Sequence, residues 1–424
     1  MMSKKNSKTQ ENSTKTWFEI ALVFFVVIGI VMTYKGEAWN DEASRYFQIR
    51  QSYPTILTTD THPPFYFMLM KAVGEPSMGG MRIFSVAMIV LSGTAILIIA
   101  RKYDSRILYL STAIFFLHPQ MTNHMIEATP YSLAIFLMLC NYYTFQNFKK
   151  NKAWHLVTAI LMGLTHLFSL MILIPQAIYF LRKKRYDGIL SIILTILFAS
   201  PFIYKAITYP MTSWLQRPSF GIVLASLMLL AGSIPSLLFL AYSFITERKN
   251  TIWPVASNIL LPIIILGGLT FFVKPLWHDR YFVLFVPFVA IQTAKYIIEH
   301  RYYKVIVPTL MIAMMLTTIW VSWGKDTGIK KASDLIDANT TVLHHSTFSY
   351  YPMRYYTPWA KHYLSLKNYE PMTPIWFQNE TLTPDENQHF DYEITETGQP
   401  HQNLTIQNTT IFQNSLKILK YKKN

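Results

Sequence analysis

The chain has 424 residues, of which 51% are hydrophobic and only 14% are charged. Soluble domains carry about 25% charged residues, so this composition and the long uncharged runs exclude an ordinary soluble fold. The net charge is +15, and all of the positive excess lies before Lys325, among the apolar segments. The positive-inside rule of membrane proteins accounts for that placement better than nucleic-acid binding does, so we expect a membrane and no nucleic acid as a partner. The single cysteine excludes an intrachain disulfide framework.

The apolar segments predict an α-helical polytopic membrane protein with about eleven transmembrane helices. The first follows a basic N-terminus and lacks a small-residue cleavage site before Tyr34, so we interpret it as an uncleaved anchor. The short apolar stretch from Pro63 to Val73 is predicted to be an interfacial or re-entrant helix. The predicted spans are 17–34, 81–100, 106–118, 129–147, 153–165, 167–181, 188–204, 220–245, 253–272, 281–298 and 304–323.

The loops between these segments predict the orientation in the membrane. Loops rich in Lys and Arg alternate without a break with loops rich in His, Trp, Tyr and Pro. The basic set belongs on the cytoplasmic side, together with the N-terminus. The other set, and the tail after Trp323, should therefore be extracytoplasmic, and we expect a multi-pass protein of the plasma (inner) membrane.

Two domains are predicted: a transmembrane domain over 1–324 and a small extracytoplasmic α/β domain over 325–424. The tail is polar and rich in Tyr, Thr and Asn, unlike the rest of the chain. Thr341 to Leu343 is predicted to be a short strand, and Ile411 to Leu419 a further strand region or a helix.

The first outer loop, 35–63, carries a group of acidic residues. It carries Asp41, Glu42, Asp60 and His62, and Asn40 or Asp41 is a good N-cap for an amphipathic helix that runs to about Tyr53. A solvated interfacial helix with no catalytic role is the alternative interpretation of this loop.

Three later outer loops add polar groups on the same side. They place Glu127 before Thr129 and Pro130, a predicted N-cap and first helical residue, then His166 in a Thr-His turn, and then Lys274 and the His278-Asp279-Arg280 run. Each has a structural alternative: a helix-terminal charge, a polar turn or an interfacial aromatic belt. Together they favour a reaction or binding site that faces outward.

The order of several short motifs resembles the protein O-mannosyltransferase-like (family 39-type) membrane glycosyltransferases of the GT-C superfamily, which include aminoarabinose-transferase-like bacterial members. The tail stretch HHSTFSYYPMRYY, 344–356, resembles their outer appendage. The matching segments are Trp39 to Ala43, Asp60 to Tyr66, Arg82, Pro119 with Glu127 to Tyr131, Thr165-His166 and Arg280-Tyr281. Two positions depart from the family pattern: Thr129 replaces an Arg, and His118 precedes Pro119 where a Ser is usual.

The resemblance implies a transferase that takes a sugar from a polyprenyl-phosphate or polyprenyl-diphosphate carrier outside the cytoplasm. It implies Asp41 as the base at the acceptor hydroxyl, with Glu42 or Asp60 sharing or orienting that role. Arg280 and Lys274 would stabilise the leaving phosphate. His62 and His166 would bind the sugar or a divalent cation. No cofactor other than that cation is predicted. Trp39, Trp277 and Tyr281 would stack on the sugar or mark the membrane interface. The remaining predicted binding residues are Glu127 and Tyr131.

The acceptor stays open at this point as a lipid, a glycan or a protein. A flippase for lipid-linked saccharides is the main alternative, although we find neither charges at the centres of the helices nor an inverted repeat. A polymerase or ligase of envelope polysaccharides is the other alternative. No P-loop or dinucleotide fingerprint is present in the sequence, which argues against ATP-driven or redox functions.

Overall fold

The computed structural model describes residues 4–59, 62–125, 127–208, 217–246, 251–272, 275–323, 329–364, 390–395, 406–411 and 417–421. Eighteen helices lie within these ranges. They are α1 (Lys4–Lys35), α2 (Asn40–Gln48), α3 (Tyr53–Thr59), α4 (Phe65–Ala72), α5 (Met78–Ala100), α6 (Ser105–Leu117), α7 (Pro119–Met125), α8 (Tyr131–Gln146), α9 (Lys152–Gly163), α10 (Leu173–Arg182), α11 (Tyr186–Thr208), α12 (Phe220–Ala231), α13 (Ile234–Thr246), α14 (Trp253–Phe272), α15 (Val286–Glu299), α16 (Tyr303–Trp323), α17 (Ile329–Ser333) and α18 (Thr347–Tyr356).

The chain divides into two compact units. The first, here the bundle unit, contains Met1–Tyr34, His62–Tyr66 and Arg82–Ser322. The second, here the sheet unit, contains Lys35–Thr61, Phe67–Met81 and Trp323–Asn424. Each unit is described by itself.

The bundle unit is that of a multi-pass membrane protein. Among the described residues, six helices are long and apolar enough to cross a bilayer, and the pair α12 and α13 would make a seventh span. These six are Glu11–Tyr34, Met78–Ala100, Tyr186–Thr208, Trp253–Phe272, Asp279–Glu299 and Tyr303–Trp320. The other predicted segments are also helical, but they are shorter. Five of the six spans bury only 22–39% of their most apolar stretch, whereas the span that contains α15 buries 89%. Since α15 packs against both α6 and α14, it lies at the centre of the bundle.

The helix predicted over 220–245 is wrong as a single element. The chain breaks after α12 at Gly232, which has a φ of +87°, and α13 leaves at an angle of 88° to α12. Ser233 Oγ then accepts a hydrogen bond from the Ser236 amide at 3.2 Å, which caps the start of α13. A glycine in the left-handed conformation, a serine cap and Pro235 in the first turn are all features that end one helix and begin another.

Two other predicted spans begin with 3-10 turns. Residues Leu167–Ile172 form a 3-10 turn before α10, and Asp279–Phe285 form one before α15. A 3-10 turn is wound more tightly than an α-helix, so both predicted spans begin with a short segment that is not α-helical. The predicted first residue of α8 is also wrong, because Pro130 precedes the helix, which begins at Tyr131.

The predicted helix in the first outer loop is shorter than expected. It begins at Asn40, with Trp39 as the residue before it, so the predicted N-cap at Asn40 or Asp41 is wrong. It ends at Gln48, and α3 follows as a separate helix whose first turn contains Pro54. Ser52 Oγ accepts from the Thr55 amide at 3.3 Å, so a new cap interrupts the predicted continuous helix at this point. The segment predicted as a short interfacial or re-entrant helix forms α4, which has eight residues.

The tail folds around a five-stranded sheet with the strand order β2-β1-β3-β5-β4. The strands are β1 (Thr341–His344), β2 (Lys361–Leu364), β3 (Tyr392–Thr395), β4 (Ile406–Ile411) and β5 (Lys417–Tyr421). β1 pairs in parallel with β2 and β3, and β5 pairs antiparallel with β3 and β4. The predicted strand at Thr341 is confirmed. The stretch Ile411 to Leu419, predicted to be a strand region or a helix, contains the last residue of β4 and the first residues of β5.

Two apolar clusters hold the sheet unit together. One lies between α17, α18 and the sheet and includes Ile336, Val342 and Met353. The other joins α2 to α18 through Ala43 and Tyr350, with Phe47 packed against it. The backbone amide of Ala38 also donates to the Tyr356 hydroxyl at 2.6 Å. The helix after Trp39 is therefore held by the tail domain, a contact that joins residues more than 300 positions apart.

Candidate active site

Three of the predicted motif segments meet within the bundle unit. The Phe65 amide, just after His62 and two prolines, donates to the Leu164 carbonyl at 2.9 Å. This bond fixes the His-Pro-Pro segment beside the Thr165-His166 turn. On α5, Ser85 Oγ donates to the Glu127 carbonyl at 2.8 Å. Helix α5 therefore holds the loop that carries Glu127.

A chain of aromatic rings connects these segments to the late outer loop. The His124 and Tyr131 ring centroids lie 4.9 Å apart, and those of Tyr131 and His166 lie 4.8 Å apart. His166 lies 6.0 Å from Tyr281, and Tyr281 stacks on Phe168 at 3.8 Å. Residues from four separated sequence segments thus form one cluster, which we call the aromatic cluster. It contains three of the predicted binding residues: Tyr131, His166 and Tyr281.

Glu127 joins the aromatic cluster through a buried pair. Its Oε2 lies 2.8 Å from His124 Nδ1, and both side chains are almost fully buried. Burying a carboxylate costs free energy unless it is paired, so His124 is the residue that holds Glu127 in the bundle. His124 was not among the residues predicted from the sequence. The available signal was its position only three residues before Glu127 in the same loop region.

Several buried polar atoms close to this pair in sequence have no hydrogen-bond partner in the described part of the chain. They are Thr122 Oγ1, His124 Nε2, Thr129 Oγ1 and Ser132 Oγ. Because buried polar groups are normally hydrogen-bonded, four such atoms within eleven residues indicate a place where a polar ligand or water supplies the missing partners.

A second polar group in the same bundle shows the opposite behaviour. His155 Nε2 lies 2.9 Å from Gln176 Oε1, and His155 Nδ1 lies 3.0 Å from Ser191 Oγ. Gln176 Nε2 donates to Asn141 Oδ1 at 2.8 Å, and Asn141 Nδ2 donates to the His155 carbonyl at 3.1 Å. This network, here the satisfied network, joins four helices with its own side chains as partners. It therefore has a structural explanation that the groups around His124 lack.

Trp277 holds the loop that precedes α15. Its indole is buried, packs on Phe282 at 4.8 Å and donates to Ser226 Oγ at 3.1 Å. Its predicted role at the sugar or at the membrane interface stays a prediction. Next to Trp277, His278 Nδ1 lies 2.7 Å from Asp279 Oδ1. The Arg280 amide also donates to Asp279 Oδ1 at 2.9 Å. These contacts anchor the backbone on both sides of Arg280, whose side chain is partly exposed.

The bundle unit also contains a buried arginine, Arg82. Arg82 is 4% exposed and donates to the Thr33 carbonyl at 3.3 Å. It lies three residues before Ser85, so the two side chains share the face of α5 that contacts Glu127. The sequence analysis noted Arg82 in a motif but gave it no role. Its signal was an arginine at the entrance of an otherwise uncharged span.

The predicted catalytic carboxylates belong to the sheet unit where they are described. Asp41 lies in the first turn of α2 and is partly exposed. Glu42 is buried, and its Oε2 accepts from the Trp39 amide at 3.4 Å, so it helps to cap α2. Asp60 and Lys274 lie outside the described residues. The bundle unit therefore contains His62, Glu127, Tyr131, His166, Arg280 and Tyr281, and the sheet unit contains Asp41 and Glu42.

A metal site does not emerge from the residues that the structure describes. Within those ranges, no three His, Cys, Asp or Glu side chains are grouped as the ligands of a metal ion would be. The His124–Glu127 and His278–Asp279 pairs each supply only two such groups. A divalent cation at His62 or His166 stays a prediction.

Comparison with known proteins gives a result only at the level of structure. No protein-family model matches the sequence, and no curated protein matches it. The crystal structure of ArnT from Cupriavidus metallidurans in the apo state matches with a TM-score of 0.63 and 11% sequence identity, over 96% of this chain and 98% of ArnT. The structure of the same ArnT bound to undecaprenyl phosphate matches with a TM-score of 0.63 and 10% identity, over 95% of this chain and 98% of ArnT.

At this identity the likeness shows the fold. The chain has the fold of ArnT along nearly its whole length. The prediction of a polytopic helical membrane protein with a small sheet is therefore confirmed, and the predicted resemblance is confirmed at the level of the fold.

Proposed function

We propose that this protein is a glycosyltransferase that takes a sugar from a polyprenyl-phosphate carrier on the extracytoplasmic side of the membrane. The observation that carries the proposal is the aromatic cluster with its buried His124–Glu127 pair, in a chain with the fold of ArnT. ArnT, an aminoarabinose transferase, has been solved with undecaprenyl phosphate bound. A carrier of that chemistry suits a bundle whose outer surface is apolar.

Arg280 and Arg82 are the proposed partners of the carrier phosphate. Negative charge develops on that phosphate as the sugar leaves, and a fixed guanidinium stabilises it through two parallel hydrogen bonds. The contacts around Asp279 fix the backbone at Arg280, and burial restricts the side chain of Arg82. Lys274 remains a third proposed cation.

The donor sugar is proposed to bind at the aromatic cluster. Tyr131, His166 and Tyr281 offer ring faces on which a sugar ring can stack, and Glu127 offers a carboxylate acceptor for sugar hydroxyls. The unpartnered hydroxyls of Thr129 and Ser132 are of the kind that recognise a polar ligand. His62 is proposed to contribute from the segment held beside the His166 turn.

Asp41 is the proposed general base. It would take the proton of the acceptor hydroxyl while the oxygen attacks the anomeric carbon, and the bond from that carbon to the phosphate oxygen would break. The carrier would leave as polyprenyl phosphate, and the proton would remain on Asp41. Asp60 is proposed to share or orient this role, whereas the contact of Glu42 with the Trp39 amide favours a supporting role for it.

The test is a turnover assay on the full chain in detergent. It would be incubated with a panel of polyprenyl-phosphate sugars and cell-envelope extract, which supplies lipid, glycan and protein acceptors, and released polyprenyl phosphate would be measured. The proposal predicts release of polyprenyl phosphate from at least one lipid-linked sugar, and no transfer of sugar to the extract from the matching nucleotide sugar. Repeating the assay with EDTA tests the divalent cation.

Two results would overturn the proposal. Absence of release, together with movement of labelled lipid-linked saccharide across liposomes, would make the protein a flippase. Release only from a carrier that bears a multi-sugar chain would favour a polysaccharide polymerase or ligase.

A further inference from the structure

A cleft in the sheet unit has the composition of a ligand site and is separate from the aromatic cluster. It has a volume of about 370 Å³ and lies where α2, the end of α18 and the start of β2 meet. Its described lining consists of Phe47, Tyr350, Arg354, Pro358, Ala360, Lys361 and His362. None of these residues is acidic, and two carry a full positive charge.

The cations and the rings of this cleft form one arrangement. The Arg354 guanidinium carbon lies 4.5 Å from the Phe47 ring centroid and 6.0 Å from that of Tyr350. Arg354 Nη1 also donates to the Tyr350 hydroxyl at 3.4 Å. An arginine stacked on aromatic rings is held in position and loses less conformational freedom when it binds an anion.

The base of the cleft is rigid. Tyr350 is 1% exposed and belongs to the apolar cluster that joins α2 to α18. His362 Nε2 lies 3.0 Å from Thr357 Oγ1, and its Nδ1 lies 2.9 Å from His344 Nε2. Burial lowers the pKa of His362 to about 4, so at neutral pH its ring lines the cleft as an uncharged, hydrogen-bonded wall. The positive charge therefore comes from Arg354 and Lys361.

From this arrangement we propose that the cleft binds an acidic sugar unit, that is, a saccharide that carries a phosphate or carboxylate group. Arg354 and Lys361 would bind the anionic group, and the partly exposed ring of Phe47 would contact the sugar ring, while the buried Tyr350 holds Arg354 in place. An inorganic anion alone would leave the aromatic wall unused, and a neutral sugar would leave the two cations unused. The idea that the cleft holds the acceptor of the transfer reaction rests on the proposed function. The proposal that the cleft binds an acidic sugar does not.

The experiment is a binding titration on the full chain in detergent without any polyprenyl donor. The probes are N-acetylglucosamine 1-phosphate, glucuronate, N-acetylglucosamine and inorganic phosphate. The proposal predicts that at least one of the acidic sugars binds at least tenfold more tightly than the neutral sugar and than inorganic phosphate, and that its affinity falls as the salt concentration rises.

Variants test the residues. Arg354→Gln and Lys361→Gln should each weaken binding of the acidic sugar by roughly tenfold or more, because each removes a charge-assisted contact with the anionic group. Arg354→Lys keeps the charge and should bind with intermediate affinity, which guards against loss of folding in Arg354→Gln. Lys361 is exposed, so its replacement carries little risk for the fold. Lys330→Gln changes an exposed lysine of the same unit and should bind as wild type does.

Equal affinity of wild type, Arg354→Gln and Lys361→Gln for the acidic sugars would overturn the proposal. So would binding of inorganic phosphate as tight as that of the acidic sugars, which would leave no role for the aromatic wall. Because no donor is present, this titration can fail while wild-type carrier release persists, and it can succeed when carrier release fails.

Discussion

The aromatic cluster and the satisfied network are two buried polar groups in the same helical bundle, and they differ in how their hydrogen bonds are completed. Around His155, side chains of four helices serve as partners for one another. Around His124, four buried polar atoms have no partner in the described part of the chain. A group that completes its own bonds needs only the fold to explain it. A group that does not is the better candidate for a ligand site.

The two units also differ in the types of side chain that they expose and bury. The bundle unit exposes large apolar side chains, such as Phe272 at 88%, and buries histidine and carboxylate. The sheet unit buries residues such as Val342 and Ile394 and leaves its cations at a cleft. In a bilayer the apolar surface is the solvated one, so the buried polar groups of the bundle carry more functional information than its surface does.

The largest effect of a single substitution in the bundle is expected at Arg280. Arg280→Ala should reduce kcat/KM for carrier release by about a hundredfold, because it removes a fixed donor at the leaving phosphate. Arg280→Lys should recover only part of the loss, since an ammonium cannot form the two parallel bonds. The control is Arg217→Ala, which removes an exposed arginine of the same unit and should leave turnover unchanged. Wild-type kinetics for Arg280→Ala would remove this residue from the phosphate site.

The His124–Glu127 pair is expected to contribute more to stability than an exposed pair. Glu127→Ala should destabilise the protein by about 1–3 kcal/mol, since it leaves a buried histidine nitrogen without its partner. The matched control is Asp187→Ala, which breaks the exposed Lys152–Asp187 pair and should cost about 1 kcal/mol or less. Thermal unfolding in one detergent measures both. Equal losses would show that burial does not distinguish the two pairs.

The break at Gly232 offers a test of the bundle backbone. A Cβ at this position would lie 2.9 Å from Met314 Cε and 3.0 Å from His118 Cδ2, and φ is in the left-handed region. Gly232→Ala should therefore lower the free energy of unfolding by about 1–2 kcal/mol. Gly268→Ala is the control, because a Cβ there meets nothing within 4 Å. No difference between the two variants would contradict the bend as described.

A pH dependence of stability is expected for the sheet unit. Burial lowers the pKa of His344 well below its ordinary value and that of His362 to about 4, with His345 and Arg354 as further positive influences nearby. In the unfolded chain these histidines take up protons near pH 6.5, before the folded ones do. The contribution to stability is therefore complete above about pH 6.5 and declines as the pH falls toward 4.

Hydrogen exchange over 341–364 can measure that decline. Each of the two histidines should contribute a loss of up to about 1.4 kcal/mol per pH unit below 6.5, so the slope should fall to about half in His362→Gln. Arg354 and the nearby His345–Glu393 pair stay in place in this variant. An identical slope in the variant would show that His362 does not titrate as described.

The sequence predicted the positions of the apolar helices and of the motif segments, because both depend on local residue patterns. It placed Glu127, His166 and Tyr281 in loops that do come together within the bundle unit. It missed His124, whose importance depends on burial, and the contact of the Trp277 indole with Ser226, which lies 51 positions away. A local sequence pattern could not predict the contact of α2 with α18 either, because that contact joins distant parts of the chain. The break at Gly232 was predictable from its glycine, serine and proline.

The most direct test of the account is carrier release by Asp41→Asn. The account predicts a folded membrane protein that binds the donor but releases no polyprenyl phosphate, because the acceptor hydroxyl keeps its proton. Glu37→Gln, which removes a carboxylate from the same loop, should release the carrier as wild type does. Turnover of Asp41→Asn at the wild-type rate would contradict the account.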